Sequence, residues 1–341
     1  MLVNIQSTRL MQVLSLSMVV FLAACERPPV DSVQQGFRGT GMVEVTNPRI
    51  AEALQESLVV PEPLPAVQNS GQLAGDVYQN VQVLGDLDVA QFTRFMAAIT
   101  AWVSPEEGCA YCHAGNNFAA DNVYTKLVSR RMIQMTWEIN SDWDNHVGAT
   151  GVTCYTCHKG ENVPGEIWYE NPGPRQAAGF TADSAGQNTI ARAAADSSLP
   201  YDPFTPYLLG DTQIQVIGAE ALPQTDGSTL PATKQTEETY SLMMHMSDAL
   251  GVNCTYCHNS RAFSDWSQSS PARMTAWYGI RMARALNTDY IQPLTSELPD
   301  NRLGPLGDAP KVNCATCHGG MNQPLMGANM LEAHPELAGD D

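Results

Sequence analysis

The chain has 341 residues, enough for two or three domains or for one body organised around cofactors. It carries 18 Lys and Arg against 36 Asp and Glu, a formal charge of −18, which argues against nucleic acid and anionic lipid as partners and favours a positive or locally apolar docking face. Of its nine cysteines, eight fall in four Cys-x-x-Cys pairs and none is left for a disulfide.

Residues 1–24 read as an export signal. Arg9 supplies a positive start, and Leu10 to Ala24 is apolar but too short for a comfortable membrane span. The stretch ends Leu22-Ala23-Ala24-Cys25, which resembles the bacterial lipoprotein signal. Cys25, the only unpaired cysteine, is therefore expected to become the lipidated first residue, with a retained helical anchor as the alternative. In either case the mature body lies outside the cytoplasm.

Residues 25–70 contain Pro28, Pro29, Pro48, Pro61, Pro63 and Pro65 without sustained periodicity, and are expected to form an extended arm. A first motif-bearing block spans 71–161. A connector punctuated by Pro and Gly, with Asn171-Pro172-Gly173-Pro174 and the run Pro200 to Pro206, spans 162–233. A second block covers 234–323, and an acidic tail, 324–341, holds Glu332, Glu336, Asp340 and Asp341.

The blocks repeat each other. Phe95-Met96 before Cys109 is echoed by Leu242-Met243 before Cys254. Each first motif is followed by a Phe (Phe118, Phe263) and an Arg-Met pair (Arg131-Met132, Arg281-Met282), and each block closes on a second motif and a glycine. The chain thus reads as two dihaem units.

The motifs themselves are Cys109/Cys112/His113, Cys154/Cys157/His158, Cys254/Cys257/His258 and Cys314/Cys317/His318. Two thiols three residues apart reach the two vinyl groups of one porphyrin and form thioethers, and the next His is held against the iron as proximal ligand. Zinc sites place their Cys pairs about 15–20 residues apart, whereas these motifs begin 45, 100 and 60 positions apart. A dithiol redox motif has no need of His after every copy. Four covalently bound haem c groups are expected.

Each iron then needs a sixth ligand. Phe92, Phe95, Met96, Ile99 and Val103 recur at helical spacing, so a helix before the first motif is expected to turn Met96 back toward its haem. By repetition Met243 serves the third motif, with Met244 and Met246 as local competitors. Met132, or Met135 on the same face, serves the second. For the fourth, the repeat nominates Met282 while His146 sits in a Gly-bordered loop, and the residue pattern does not choose between them. An enzyme acting on a small anion needs an open sixth position, and a quinol-oxidising cytochrome relies on distal His. Here Met and His suffice to close every site, and only His146, His245 and His334 lie outside the motifs.

The Leu-Ala-Ala-Cys signal, the four motifs in two repeated pairs and Ala276-Trp277-Tyr278-Gly279-Ile280-Arg281-Met282 together resemble the tetrahaem cytochrome subunit of purple bacterial photosynthetic reaction centres, over roughly residues 22 to 325. The resemblance implies three His/Met haems, pairing Met96 with His113, Met132 with His158 and Met243 with His258. It implies a fourth, bis-His haem in which His146 crosses from the first block to His318. It further implies haems in a row in the order first, second, fourth, third. As partners it implies the L and M subunits and a soluble donor, either a small cytochrome c or a high-potential iron–sulfur protein. The place implied is the periplasmic face of the photosynthetic membrane, held by a lipid anchor, and the role is re-reduction of the photo-oxidised special pair, an electron-transfer subunit and not an enzyme.

The expected fold is a mostly α multihaem cytochrome with long irregular connectors and few short strands. Its haems replace much of the hydrophobic core, with Trp102, Trp137, Trp143, Trp266 and Trp277 expected on porphyrin faces.

Overall fold

The computed structural model describes residues 29–35, 41–173, 190–217, 221 and 232–339. The export signal and Cys25 lie outside the described residues. About half of the chain is helical, with few strands, as the sequence predicts.

A two-stranded antiparallel hairpin comes first, β1 (Asp31–Gln34) against β2 (Val43–Thr46), with Asp31 opposite Thr46. It docks far along the chain. Asn253, just before the third motif, accepts from the Val45 amide at 2.9 Å and donates to the Val43 carbonyl at 2.7 Å. The expected arm therefore carries the hairpin and a short helix, α1 (Pro48–Ser57), and runs without helix or strand from residue 58 to residue 72.

Four longer helices form the frame. Helix α2 (Val89–Val103) is capped by Asp88, whose carboxylate accepts from the Ala90 amide at 2.9 Å, and buries Phe95, Ala98 and Trp102 at three- and four-residue spacing. Helix α3 (Tyr124–Asp142) buries Ile133, Thr136 and Ile139 on one face. Between α3 and α5 lies the short motif helix α4 (Cys154–His158). Helix α5 (Ala232–Leu250) buries Ser241, Leu242, His245 and Ala249, and α6 (Pro271–Ala285) begins with a proline, whose fixed φ suits the first helical position. Another short helix, α7 (Cys314–His318), carries the last motif.

The core is in two parts. Leu84, Phe95, Ala98, Trp102, Ile133 and Leu337 form one; Trp168, Phe204, Tyr207, Leu208, Leu242, Ile280 and Ala283 form the other. Four members of the second come from the connector, which is therefore an integral part of the body. The stretch expected as a solvated acidic tail also folds back. Trp137 donates its indole N–H to the Glu336 carbonyl at 2.9 Å, Asn140 donates to the Leu337 carbonyl at 2.7 Å, and Leu337 is fully buried. Glu336 accepts from the His334 ring at 2.9 Å. No helix among the described residues is long and apolar enough to cross a membrane.

Candidate haem-binding sites

The four motifs take two local forms. The first and third are 3₁₀ turns, Gly108–Tyr111 and Cys254–Tyr256. In both, the next helix reaches back to hold the turn: Thr125 donates its hydroxyl to the Tyr111 carbonyl, and Ser270 donates to the Tyr256 carbonyl at 2.6 Å. The second and fourth are the one-turn helices α4 and α7. Each is closed by a reciprocal capping box, in which the Thr153 and Asn313 amides donate to the Thr156 and Thr316 hydroxyls, both at 3.0 Å. Each ends on a left-handed residue, Lys159 or Gly319. The glycine following tacks onto the frame: Gly160 donates to the Trp102 carbonyl at 2.9 Å, and Gly320 to the Ala249 carbonyl at 2.8 Å. That last approach is tight, since a Cβ on Gly251 would lie 2.2 Å from the Gly320 carbonyl oxygen, at a φ of +64°.

All four motif histidines place Nδ1 against a backbone carbonyl. The partners are Phe118 (3.2 Å), Glu161 (2.9 Å), Phe263 (2.9 Å) and Met321 (2.9 Å) for His113, His158, His258 and His318. A carbonyl only accepts, so Nδ1 carries the proton and the Nε2 lone pair is left for a metal. Burial pushes these imidazoles down, His318 to about 4, so they stand neutral and able to ligate. Burial also pushes the Cys154 and Cys314 thiols up to about 12. A reactive redox dithiol needs the opposite shift.

Cavities lie beside the first two motifs. One of about 550 Å³ is lined by Met96, Cys109, Cys112, His113 and Phe118. The other, of about 350 Å³, is lined by Met132, Met135, Cys154, Cys157 and His158, with Arg302 and Val312 entering from the second block. Both volumes fall in the roughly 300–1,000 Å³ range of cofactor sites. Each holds two thiols, a neutral imidazole and a thioether, the donor set that a covalent haem c with His/Met ligation requires. At the third motif, Met243 and Met246 both pack against the second core cluster, and Arg273 stacks over Trp266 at 4.0 Å.

At the fourth motif the His146 and His318 rings lie with centroids 6.0 Å apart and their planes at 70°. Two metal–nitrogen bonds of about 2.0 Å each plus the two ring radii give a separation of that order. His146 Nδ1 donates to the Thr275 carbonyl on α6 at 2.9 Å, so its Nε2 is also left free. The second and fourth sites are neighbours as well, since α4 and α7 pack against each other and bring Cys157 near Cys317.

This arrangement matches a family already described. The family model of the photosynthetic reaction centre cytochrome c subunit matches residues 26–338. The chain is 53% identical over 316 residues to the photosynthetic reaction center cytochrome c subunit of Rubrivivax gelatinosus, covering 93% of this chain and 86% of that one. It is 50% identical over 319 residues to the subunit of Thermochromatium tepidum, covering 93% and 78%. The Roseobacter denitrificans subunit is 43% identical over 328 residues, covering 90% and 85%. The chain belongs to the photosynthetic reaction centre cytochrome c subunits. As a reaction centre cytochrome it is an electron-transfer subunit and not an enzyme. It carries covalently attached haem c, associates with the reaction centre on the periplasmic side and donates electrons to the special pair.

The cytochrome subunit uses residues that sequence reasoning did not single out. Gly279 lies directly under the His146 ring, Arg302 closes the second cavity from the other block, and Lys126 lines the first. Only Gly279 left a trace in the sequence, within the Ala276 to Met282 run. Trp102 is buried in protein, edge-on to Phe95 and His334, while Trp266 and Trp277 lie under the Arg273 and Arg281 guanidinium groups.

Proposed function

We propose that this reaction centre cytochrome takes electrons from a soluble periplasmic carrier, a small cytochrome c or a high-potential iron–sulfur protein, and delivers them to the special pair through two dihaem units, 71–161 and 234–323. The paired local geometry supports two units: 3₁₀ turns held by Thr125 and Ser270, and capped one-turn helices tacked to α2 and α5. Cys109 and Cys112, Cys154 and Cys157, Cys254 and Cys257, and Cys314 and Cys317 hold the haems. Met96 and His113, Met132 and His158, and Met243 and His258 ligate three irons, and His146 with His318 the fourth. When bound, haem supplies a one-electron Fe(III)/Fe(II) couple, at lower potential with two imidazoles than with imidazole and thioether. The protein orients each imidazole through its Nδ1 bond and keeps water from the irons by closing every sixth position.

The subunit is proposed to rest on the L and M subunits. A diacylated Cys25 anchors it, and the hairpin and arm run from that anchor onto the third motif. The Cys157–Cys317 contact supports a row in which the second and fourth haems are neighbours.

The approach of His146 to His318 supports the ligand assignment, because it brings together histidines of the two blocks. His146→Met is expected to raise one of four midpoints and leave the other three nearly in place. Met282→Leu is expected to leave every iron closed to carbon monoxide. If Met282→Leu opens a carbon monoxide site while His146→Met moves no midpoint, the assignment fails.

A further inference from the structure

Lys126 on α3 is buried and aims its ammonium into the loop after the first motif. Around Nζ stand the Phe118 carbonyl at 2.8 Å, the Ala120 carbonyl at 3.0 Å and an Asp121 carboxylate oxygen at 3.1 Å. Three protons meet three acceptors, so a charge in an apolar surround is fully satisfied. The Phe118 carbonyl is also the one that accepts from His113 Nδ1. The first motif thus has a charged donor competing for the oxygen that orients its histidine. That imidazole bond is 3.2 Å long, against 2.9 Å at each of the other three motifs. Among the described hydrogen bonds no lysine or arginine donates to the Glu161, Phe263 or Met321 carbonyls. Nor does the second block have a counterpart: five residues before its Arg281-Met282 pair stands Ala276, where the first block has Lys126 before Arg131-Met132.

A hydrogen bond from Nδ1–H to an acceptor makes an imidazole a stronger donor to its metal, and a stronger donor favours Fe(III). Drawing density from that acceptor does the reverse. Resting on the assignment of His113 as proximal ligand, we infer that Lys126 is a positioning residue that weakens the His113–Phe118 bond and thereby holds the midpoint of the first haem up. The first and third sites, alike in their Met and His ligands, are set apart by it. A lysine that merely braces the loop would move stability and leave potentials where they are.

The test is a redox titration of the whole cytochrome, with the first haem identified as the component that Met96→His moves to more negative potential. In Lys126→Met that component is expected to move negative while the other three stay in place. The charge itself is separated by a second variant. Lys126→Met combined with Asp121→Asn removes one positive and one negative group, so the local charge returns to its starting value, and the negative shift is expected to persist. No shift in Lys126→Met overturns the inference, and so does recovery of the original midpoint in the double variant, which would reduce the effect to charge alone. Should Lys126→Met fail to retain the first haem, Lys126→Gln, a neutral and shorter donor, is read in the same way. Loss of that haem from both makes Lys126 a folding residue and overturns the inference too. A parent chain with fewer than four haems, or one in which Met96→His moves no component, would count against the ligand assignment and not against Lys126.

Discussion

His146 rests on a glycine because nothing larger leaves it room. A Cβ on Gly279 would lie 2.4 Å from His146 Cε1 and 2.8 Å from Nδ1, well inside contact distance. The ring lies against the backbone of α6 and donates to the Thr275 carbonyl one turn earlier. Glycine inside a helix costs about 1 kcal/mol relative to alanine, so its presence there implies a packing need. Gly279→Ala is expected to push the ring off its seat, at a cost of about 1–3 kcal/mol in stability. One iron should then gain high-spin character and bind carbon monoxide, both visible in the reduced optical spectrum. An unchanged spectrum would remove Gly279 from the site. The glycine was visible in the sequence only within the Ala276 to Met282 run; the ring it accommodates lies more than a hundred positions away.

Short helices of one turn do not persist by propensity, because nucleation costs more than a few backbone bonds return. Helices α4 and α7 last because their ends are tied. Asn313 accepts from the Ala315 amide at 2.8 Å and donates to the Glu166 carbonyl at 2.5 Å, while Thr316 donates to the same carbonyl at 3.1 Å. Asn313→Ala removes the cap and one of the two donors to the Glu166 carbonyl, and should cost about 1–2 kcal/mol in denaturant unfolding. The covalent haem count should remain at four, since the cysteines are untouched; a loss below about 0.5 kcal/mol would mean that thioether attachment alone holds α7 in shape. At this scale the sequence was most readable. The spacing of Phe92, Phe95, Met96, Ile99 and Val103 predicts a helix, and α2 forms there with Phe95 buried and Met96 at the cavity.

The two blocks are joined at three places that composition did not reveal. The His146 ring of one block lies 6.0 Å from the His318 ring of the other, Arg302 reaches from the second block into the second cavity, and the C-terminal segment crosses back to α3. Leu337 is the anchor of that crossing, fully buried between Phe95, Trp102 and Ile133 in the first core cluster. Leu337→Ala is expected to destabilise the chain by about 2–5 kcal/mol. It should also bring proteolytic cleavage into the 330–338 segment while midpoints of the third haem hold; resistance equal to the parent would show that the crossing is not cooperative with the core. At the N-terminus, the Leu22-Ala23-Ala24-Cys25 run motivates a test of the anchor. Cys25→Ser should abolish the diacylglycerol increment in the intact mass, and membranes lacking reaction centres should release the protein; an unchanged mass would end the lipidation proposal. A lipid anchor of this kind holds only weakly by each chain, so docking to the reaction centre should still retain part of the variant.

The sequence by itself determined how many haems the chain attaches and where, because thioether chemistry needs its two thiols and its histidine within five consecutive residues. It also nominated the motif histidines as proximal ligands and predicted the helix that carries Met96, since one turn of helix relates neighbours of known spacing. Tertiary structure alone decided the rest. It brought the His146 ring within 6.0 Å of His318, a pairing that the residue pattern left open and the resemblance implied, set Lys126 on the carbonyl shared with His113, and made core out of a connector and a clasp out of an acidic tail. Each of these depends on which distant segments approach, and on small shapes such as the bare face of Gly279. Local periodicity carries no record of either, because the contacts that fix them are made between residues far apart in the chain.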